Sequence, residues 1–334
     1  MDFKKLPKVE LHCHLDGSIR VSTAIELIKK ENLEIESLNY DFIKKKLVVE
    51  DECNSLDEYL EKFDLPLKLM QSEENLERIA YELIEDSFKE NIKYIEIRFA
   101  PLLHLEKGLE IDLIIESVLR GMKKGEKEFG VKSGLILCII RHMPKDRAKE
   151  VIEIGKRYIK DGVVAIDLAG SELEGFVKEY KDIFEKVEQY GYKVTIHAGE
   201  TGFSNNVIDA INILGAKRIG HGIAILKDRE AFNLVKDKNI VLEMCPKSNV
   251  QTKAIEKYEH HPIKKFLNEE IKATLCTDNN TVSNVSLSEE WESTNKIQGL
   301  DLEDFKRIYI NGVYGAFCSE EVKKELLKEV ENFK

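Results

Sequence analysis

The feature that most constrains the fold is an alternation of short apolar runs with helix-like segments along most of the 334 residues. Each apolar run is typical of a buried strand, and each is followed by a segment with helical spacing of its apolar side chains. Strict alternation of strands and helices indicates a parallel sheet. Eight such units over this length predict an α/β fold, a closed TIM-like (β/α)8 barrel whose active site lies at the C-terminal ends of the strands.

The predicted strands are rich in Val, Ile and Leu. They cover residues 9–14, 92–99, 133–141, 162–170, 192–200, 216–223, 239–246 and 271–279. Helices are expected near 110–129, 145–160, 175–190, 204–214 and 260–268, with a short one in KDREAFNLVKDK and C-terminal helices rich in Glu and Lys. Because the chain has only 6 prolines and no low-complexity tract, we expect a single domain over residues 1–334.

A helical insertion of roughly residues 21–90 separates the first two strands. VSTAIELIKKENL is amphipathic, and SEENLERIAYELIEDSFKEN begins with Ser72, which suits an N-cap. Between them, four apolar side chains fall at i, i+3, i+4 and i+7 of one helix face. They are Leu56, Tyr59, Leu60 and Phe63. This face either packs on the core or covers an apolar ligand site as a lid, and spacing alone does not decide between the two.

Polar side chains end several predicted strands. They are His12 and His14 on the first, Asp167 on the fourth, His197 on the fifth, His221 on the sixth and Asp278 on the eighth. In a barrel these side chains converge on one mouth. Three histidines and one carboxylate suit a zinc ion with a position left for water. The fourth strand ends AIDLAG and offers no lysine to bridge two metals, so one metal is favoured.

His12 and His14 flank Cys13, and alternation along a strand places both imidazoles on one face. An isolated pair of this kind is equally compatible with surface histidines on an edge strand. The prediction of a metal site therefore depends on the polar residues at the ends of the other strands. The histidines outside this set are less well placed. His260 and His261 begin a predicted helix and are expected at the surface, whereas His142 could lie beside the site, and His104 has no assigned place.

A hydrolase that activates water also needs a proton donor for its leaving group. Glu200 is the carboxyl group left after the metal ligands are assigned, and it follows His197 in the next loop. The alternatives for Glu200 are a solvated loop carboxylate or a helix cap. His221 lies between two glycines, which permit the close backbone approach of a crowded site, although a core histidine with satisfied hydrogen bonds is the simpler alternative.

Composition excludes several classes of partner. The net charge of −11 argues against binding to nucleic-acid phosphates, and no apolar run approaches the length of a membrane span. The N-terminal segment has no apolar region of the secretory type. The 6 cysteines show no paired spacing, and several lie in apolar runs, so we expect reduced, buried thiols and a cytoplasmic protein.

Seven motifs together resemble the adenosine deaminases of the amidohydrolase superfamily. They are LPKVELHCHLDGS, EIRFAP, DLAGSE, HAGE, RIGHG, CPKSN and TDN. The resemblance runs from residue 5 to about residue 320. It implies one Zn²⁺ per chain and hydrolytic deamination of adenosine and 2′-deoxyadenosine to inosine, 2′-deoxyinosine and ammonia, a reaction of purine salvage. The partner implied is a small purine nucleoside, with no membrane and no nucleic acid, and the oligomeric state stays open.

The same resemblance implies a role for individual residues. The matching zinc ligands are His12, His14, His197 and Asp278. The matching catalytic residues are Glu200, which protonates purine N1, His221, which orients the attacking hydroxide, and Asp278. The matching substrate-binding residues are Gly170 at purine N3, Asp16 at the ribose 5′-hydroxyl, Asn279 at purine N7, and Leu56, Tyr59, Leu60 and Phe63 as a hydrophobic lid.

The chain departs from the family pattern at TDNN, where TDDP is usual. Asn279 takes the place of an aspartate that must donate a proton to purine N7, and an amide N–H can donate without being protonated. The nearest alternative function is adenine deaminase, in which a glutamate is expected in place of Asp16. A deaminase of another 6-aminopurine nucleoside or of a nucleotide is a second alternative. The presence of His221, Glu200 and Asp278 argues against a third, an inactive binding protein.

Overall fold

The computed structural model describes residues 1–50, 53 and 55–333. Within these residues, eight strands form one sheet in which each strand pairs in parallel with the next along the chain. The strands are β1 (Lys8–His14), β2 (Ile92–Phe99), β3 (Lys132–Ile140), β4 (Val163–Ala169), β5 (Lys193–Ala198), β6 (Arg218–His221), β7 (Val241–Met244) and β8 (Ala273–Leu275). A parallel bridge between Cys13 and Asp278 links the segment after β8 to β1. The predicted TIM-like barrel is confirmed.

Strand β2 has the predicted bounds, whereas β4 to β8 are shorter than the predicted runs, because residues at both ends of those runs lie in the loops outside the sheet. Asp278 therefore follows β8 instead of ending it, which corrects the predicted strand end. Its backbone is still held by β1. Asp278 N donates to His12 O at 2.8 Å, and His14 N donates to Asp278 O at 2.8 Å.

The predicted helical insertion is present between β1 and β2. It contains α1 (Val21–Lys30), α2 (Tyr40–Leu47), α3 (Leu56–Leu60), α4 (Asp64–Leu69) and α5 (Glu73–Lys89), with a 3-10 turn at Glu61–Phe63. Ser72 caps α5 as predicted, since its side chain accepts a hydrogen bond from Asn75 N at 3.3 Å. The sequence did not indicate α2, which Asn39 caps through Asp41 N at 2.9 Å.

The outer helices follow the later strands. They are α6 (Ile111–Phe129), α7 (Lys145–Gly155), α8 (Lys181–Gln189), α9 (Ser204–Asn212), α10 (Arg229–Asp237), α11 (Pro246–Gln251), α12 (Ile263–Asn268), α13 (Leu287–Gln298), α14 (Leu302–Gly315) and α15 (Glu320–Lys328). Further 3-10 turns cover Pro101–His104, Lys156–Asp161, Phe176–Tyr180, Ile223–Lys227, Tyr258–His260 and Glu329–Asn332. Helix α11 replaces the end of the predicted seventh strand, because Pro246 at its first turn donates no backbone hydrogen bond to a sheet.

The barrel interior beneath the mouth is charged. Arg218 lies 2.5 Å from Glu96 and 2.6 Å from Glu243, and all three side chains are buried. All 6 cysteines are free thiols, as predicted. Five of them are buried, also as predicted, and Cys318 is partly exposed. Among the described residues, no helix combines the length and the apolar character that crossing a membrane requires.

Candidate active site

The predicted metal ligands lie together at the C-terminal mouth of the barrel. Nε2 of His12 is 3.2 Å from Oδ1 of Asp278, and Nε2 of His14 is 3.5 Å from the same oxygen. Nε2 of His14 is also 3.3 Å from Nε2 of His197. Four residues offer one donor atom each within 4.8 Å of one another, and this compact group contains His221 in place of His14. The structure thus brings the predicted ligands and His221 into a single cluster.

Two carboxylates orient two of these imidazoles. Nδ1 of His12 is 2.8 Å from Oε2 of Glu243, and Nδ1 of His197 is 2.9 Å from Oδ2 of Asp167. A carboxylate at Nδ1 holds the imidazole proton there and leaves the Nε2 lone pair for a metal. Nε2 of His12 is buried and has no hydrogen-bond partner among the described residues. The donor set therefore fits a divalent cation.

One guanidinium joins both carboxylates. Arg98 donates from Nη1 to Oδ2 of Asp167 at 2.9 Å and from Nη2 to Oε2 of Glu243 at 2.7 Å, and all three side chains are fully buried. Nη2 also donates to Leu11 O of β1 at 2.7 Å. Sequence reasoning gave Arg98 and Glu243 no role. The signal that could have found them is the presence of charged residues inside two strand-like runs: Glu96 and Arg98 in YIEIRF, and Glu243 in IVLEM.

Two residues of the cluster have unusual backbone conformations. His221 has a φ of 64° and Asp278 a φ of 63°. Both residues therefore lie in the left-handed backbone region, which residues other than glycine rarely adopt. Such conformations cost free energy and concentrate at functional sites, where the surrounding structure maintains them. They turn the chain sharply at the mouth, where both side chains join the cluster.

Glu200 is buried beside this cluster, as predicted. Its Oε2 is 3.7 Å from Nε2 of His221, and its Oε1 accepts a hydrogen bond from Oγ1 of Thr252 at 3.1 Å. Burial raises the pKa of Glu200, which favours the neutral acid that can give a proton. Burial lowers the pKa of His197 to about 4, so its imidazole is neutral near pH 7, the form that binds metals.

A cavity of about 400 Å³ opens above the cluster, large enough for a small ligand. All the predicted substrate-binding residues line it, together with His142. They are Asp16, Leu56, Tyr59, Leu60, Phe63, Gly170 and Asn279. Leu56, Tyr59 and Leu60 of α3 and Phe63 of the 3-10 turn after it, predicted as one helix face, thus line the cavity together and are called the lid face below. Burial raises the pKa of Asp16 to about 7.

The family model for adenosine deaminase matches residues 7–333. The chain belongs to the adenosine deaminase family. Adenosine deaminase of Clostridium perfringens strain SM101 is 58% identical over 326 residues, which cover 98% of each chain. Among solved structures, an Arabidopsis N6-mAMP deaminase aligns with a TM-score of 0.87 at 27% identity, covering 98% of each chain. A Burkholderia ambifaria amidohydrolase with bound Zn aligns with a TM-score of 0.88 at 25% identity, covering 99% of this chain and 92% of that one.

Asn279 marks where this adenosine deaminase family member departs from the usual pattern. Its Nδ2 donates to Oη of Tyr59 on the lid face at 2.9 Å. Its Oδ1 lies against Gly17, where a Cβ on that glycine would be only 1.8 Å from the oxygen. Gly17 of the DGS motif is therefore required by the position of the Asn279 amide. Oδ1 of Asn279 has no hydrogen-bond partner among the described residues.

The family motif CPKSN supplies contacts that sequence reasoning did not assign. Three side chains on or just after α11 each hold one predicted catalytic residue. Ser248 Oγ donates to Asp278 Oδ2 at 2.5 Å, Asn249 Nδ2 lies 2.9 Å from His221 Nδ1, and Thr252 Oγ1 donates to Glu200 Oε1. For Ser248 and Asn249 the motif itself was the available signal, whereas Thr252 lies beyond the motif.

The remaining histidines of this family member differ in their surroundings. His260 is exposed, as predicted, but the prediction for His261 was wrong, since only 2% of this residue is exposed. Nε2 of His261 lies 3.3 Å from Oδ1 of Asn249, because the turn before α12 directs the ring towards α11 and away from solvent. His104 is buried with Nδ1 3.0 Å from Met70 O, a structural contact of the insertion.

Proposed function

We propose that this chain is a zinc-dependent deaminase that converts adenosine and 2′-deoxyadenosine to inosine, 2′-deoxyinosine and ammonia. The observation that carries the proposal is the burial of Glu200 beside the cluster of histidines and Asp278, beneath a cavity of nucleoside size. The 58% identity to a protein named adenosine deaminase, over almost the full length of both chains, supports the same substrate.

His12, His14, His197 and Asp278 would hold a single zinc ion. The free Nε2 of His12 and the Nε2 atoms of His14 and His197, 3.3 Å apart, support this set, as does the zinc in the Burkholderia ambifaria relative. Bound zinc supplies a Lewis acid that activates water at neutral pH. His221 is kept outside the proposed ligand set because Asn249 occupies its Nδ1 and its Nε2 faces Glu200.

Glu200 would give its proton to purine N1. Addition of oxygen to purine C6 breaks the aromaticity of the ring and drives electron density onto N1, so protonation there lowers the cost of addition. The C6–N bond then breaks: the amino group leaves as ammonia with the proton given up by the attacking water, and the C6 hydroxyl loses its proton as the C6=O bond forms. His221 would orient the attacking oxygen, and the Gly170 backbone N–H would meet purine N3.

The cavity chemistry favours a nucleoside over a nucleotide. Of the described residues that line the cavity, none is Lys or Arg, whereas Asp16 and Asp57 are acidic. Arg20, the cation of the DGSIR loop, is already paired with Glu85 at 2.6 Å and Asp86 at 2.5 Å. A 5′-phosphate would thus find carboxyl groups and no cation, whereas Asp16 can accept a hydrogen bond from a neutral 5′-hydroxyl. Adenine cannot supply that hydroxyl.

The biological setting proposed is purine salvage in the cytoplasm. The free thiols support a reducing compartment, since disulfides are rare there. Adenine deamination is the second candidate, and a deaminase of another 6-aminopurine nucleoside is the third. Asp16 in the position proposed for the ribose favours adenosine over both adenine and a nucleotide.

The test is ammonia release from adenosine, 2′-deoxyadenosine, adenine and AMP, with zinc quantified in the same sample. We expect one zinc per chain and a much higher kcat/KM for the two nucleosides. Equal use of AMP would contradict the role of Asp16, and two metal ions per chain would contradict the ligand set. Glu200→Gln should keep its zinc and its fold but lose about 10²–10⁴-fold in kcat, because an amide N–H can donate a hydrogen bond but is too weak an acid to transfer its proton to N1.

A further inference from the structure

Asn249 is a buried amide between two histidines. It lies on α11, is 0% exposed, and has Nδ2 2.9 Å from Nδ1 of His221 and Oδ1 3.3 Å from Nε2 of His261. Its backbone is held at both polar atoms, because Asn249 N donates to Cys245 O at 2.9 Å and Ile255 N donates to Asn249 O at 2.9 Å. The side chain is therefore placed by a rigid segment.

We propose that Asn249 is a positioning residue that fixes His221 in the tautomer with its proton on Nε2. His221 then acts towards the attacking oxygen as a hydrogen-bond donor and cannot accept a proton from it at Nε2. The catalytic consequence rests on the proposed function, but the tautomer is a property of the folded protein alone.

The argument follows from the donors and acceptors available. A neutral imidazole carries one proton, on either Nδ1 or Nε2, and an amide nitrogen only donates. With the Asn249 amide nitrogen at Nδ1, that atom must be the acceptor, and the proton lies on Nε2. Nε2 in turn is 3.7 Å from Oε2 of Glu200, so its N–H faces the acid and the cavity.

His261 favours this orientation of the amide. In this orientation His261 gives its Nε2–H to Oδ1 of Asn249, and its Nδ1, which has no hydrogen-bond partner among the described residues, is a bare lone pair. Turning the amide would place the His261 proton on Nδ1 as a buried N–H without a partner, and an orphaned buried N–H is rarer in proteins than an unpaired acceptor.

The direct test is ¹⁵N NMR of the zinc-loaded protein with labelled histidines. The His221 resonances are assigned by their loss in His221→Asn. We expect a protonated Nε2 and an unprotonated Nδ1 in His221 of the wild type. A proton on Nδ1 would overturn the proposal, and this result needs no variant of Asn249.

Asn249→Asp tests the role in catalysis. A carboxylate at this place accepts a hydrogen bond and should move the His221 proton to Nδ1. We expect kcat for adenosine to fall about 10- to 100-fold, as for other residues that orient functional side chains. KM should change by less than about threefold, because Asn249 does not line the cavity. A reversed tautomer with wild-type kcat, or an unchanged tautomer, would contradict the proposal.

The matched control is Asn75→Asp. Asn75 is 1% exposed at the start of α5, where its Nδ2 donates to Leu69 O at 2.8 Å, so the change introduces a buried carboxylate away from the cluster. It should leave the His221 tautomer unchanged. If the wild type released no ammonia from adenosine, the proposed function would fail while the tautomer measurement would stand, so the two failures are distinguishable.

Discussion

Tyr59 of the lid face and Asn279 after β8 are joined by a hydrogen bond of 2.9 Å between Oη and Nδ2. Oη of Tyr59 is also 2.7 Å from Oγ of Ser283. Tyr59 packs in a small cluster with Val49, Cys53, Val282 and Phe63, separate from the main core. Among the described residues, the contacts of Tyr59 that attach the lid face to the barrel mouth are those of its hydroxyl and of this small apolar cluster, which is separate from the main core.

Tyr59→Phe should therefore weaken substrate binding. The change removes both hydrogen bonds and keeps the ring, and one net hydrogen bond is worth about 0.5–1.5 kcal/mol. We expect KM for adenosine to rise about 2- to 10-fold with a smaller change in kcat. Tyr81→Phe is the control, since it removes a hydroxyl that binds the exposed Glu128 at 2.8 Å. Equal KM values in wild type and Tyr59→Phe would contradict the role of this contact.

Asn279→Asp should retain activity, because a protonated aspartate can offer a donor to purine N7. The wild type should depend less on protonation at this place, since the amide has a permanent N–H. The measurement is the pH profile of kcat/KM for adenosine in both proteins. If Asn279→Ala binds and converts adenosine as well as the wild type, no contact with N7 is made by this residue.

Arg98→Lys should lower zinc affinity, because a single ammonium cannot reproduce the fork that holds Asp167 and Glu243 together. Loss of such outer partners typically costs 10- to 100-fold in metal affinity, and we expect a fall of about that size in a chelator competition. Arg157→Lys is the control, since Arg157 is an exposed partner of Asp112. Wild-type zinc affinity in Arg98→Lys would mean that the two carboxylates orient the histidines without it.

The barrel could be predicted because eight apolar runs and their helices are each local in sequence. The convergence of His12, His14, His197 and His221 could also be predicted, because all four lie near the C-terminal ends of strands and those ends meet at one mouth of a barrel. The partners of Arg98 could not be predicted, since Asp167 and Glu243 lie 69 and 145 residues away and meet it only across the closed barrel. Helix α11 was missed because six residues that begin with proline show no helical period.

A last prediction concerns stability against pH. Glu290 of α13 is 1% exposed and accepts hydrogen bonds from Lys247 N at 2.7 Å and from Oη of Tyr258 at 2.8 Å. Burial raises its pKa from 4.5 to about 7. The Glu290 carboxyl group therefore binds its proton more tightly in the folded state than in the unfolded chain. The resulting stability is fully present below the unfolded pKa and is lost as the pH rises through about 7.

Glu290→Gln should remove this loss, because the amide does not titrate. The free energy of unfolding of the variant, relative to wild type, should rise by about 3 kcal/mol between acid and neutral pH, since each pKa unit is worth about 1.4 kcal/mol. Urea unfolding of both proteins at several pH values measures the difference. Glu292→Gln removes an exposed carboxylate of the same helix and controls for the change in charge. A constant difference between variant and wild type across this range would show that Glu290 keeps the same pKa in the folded and unfolded chain.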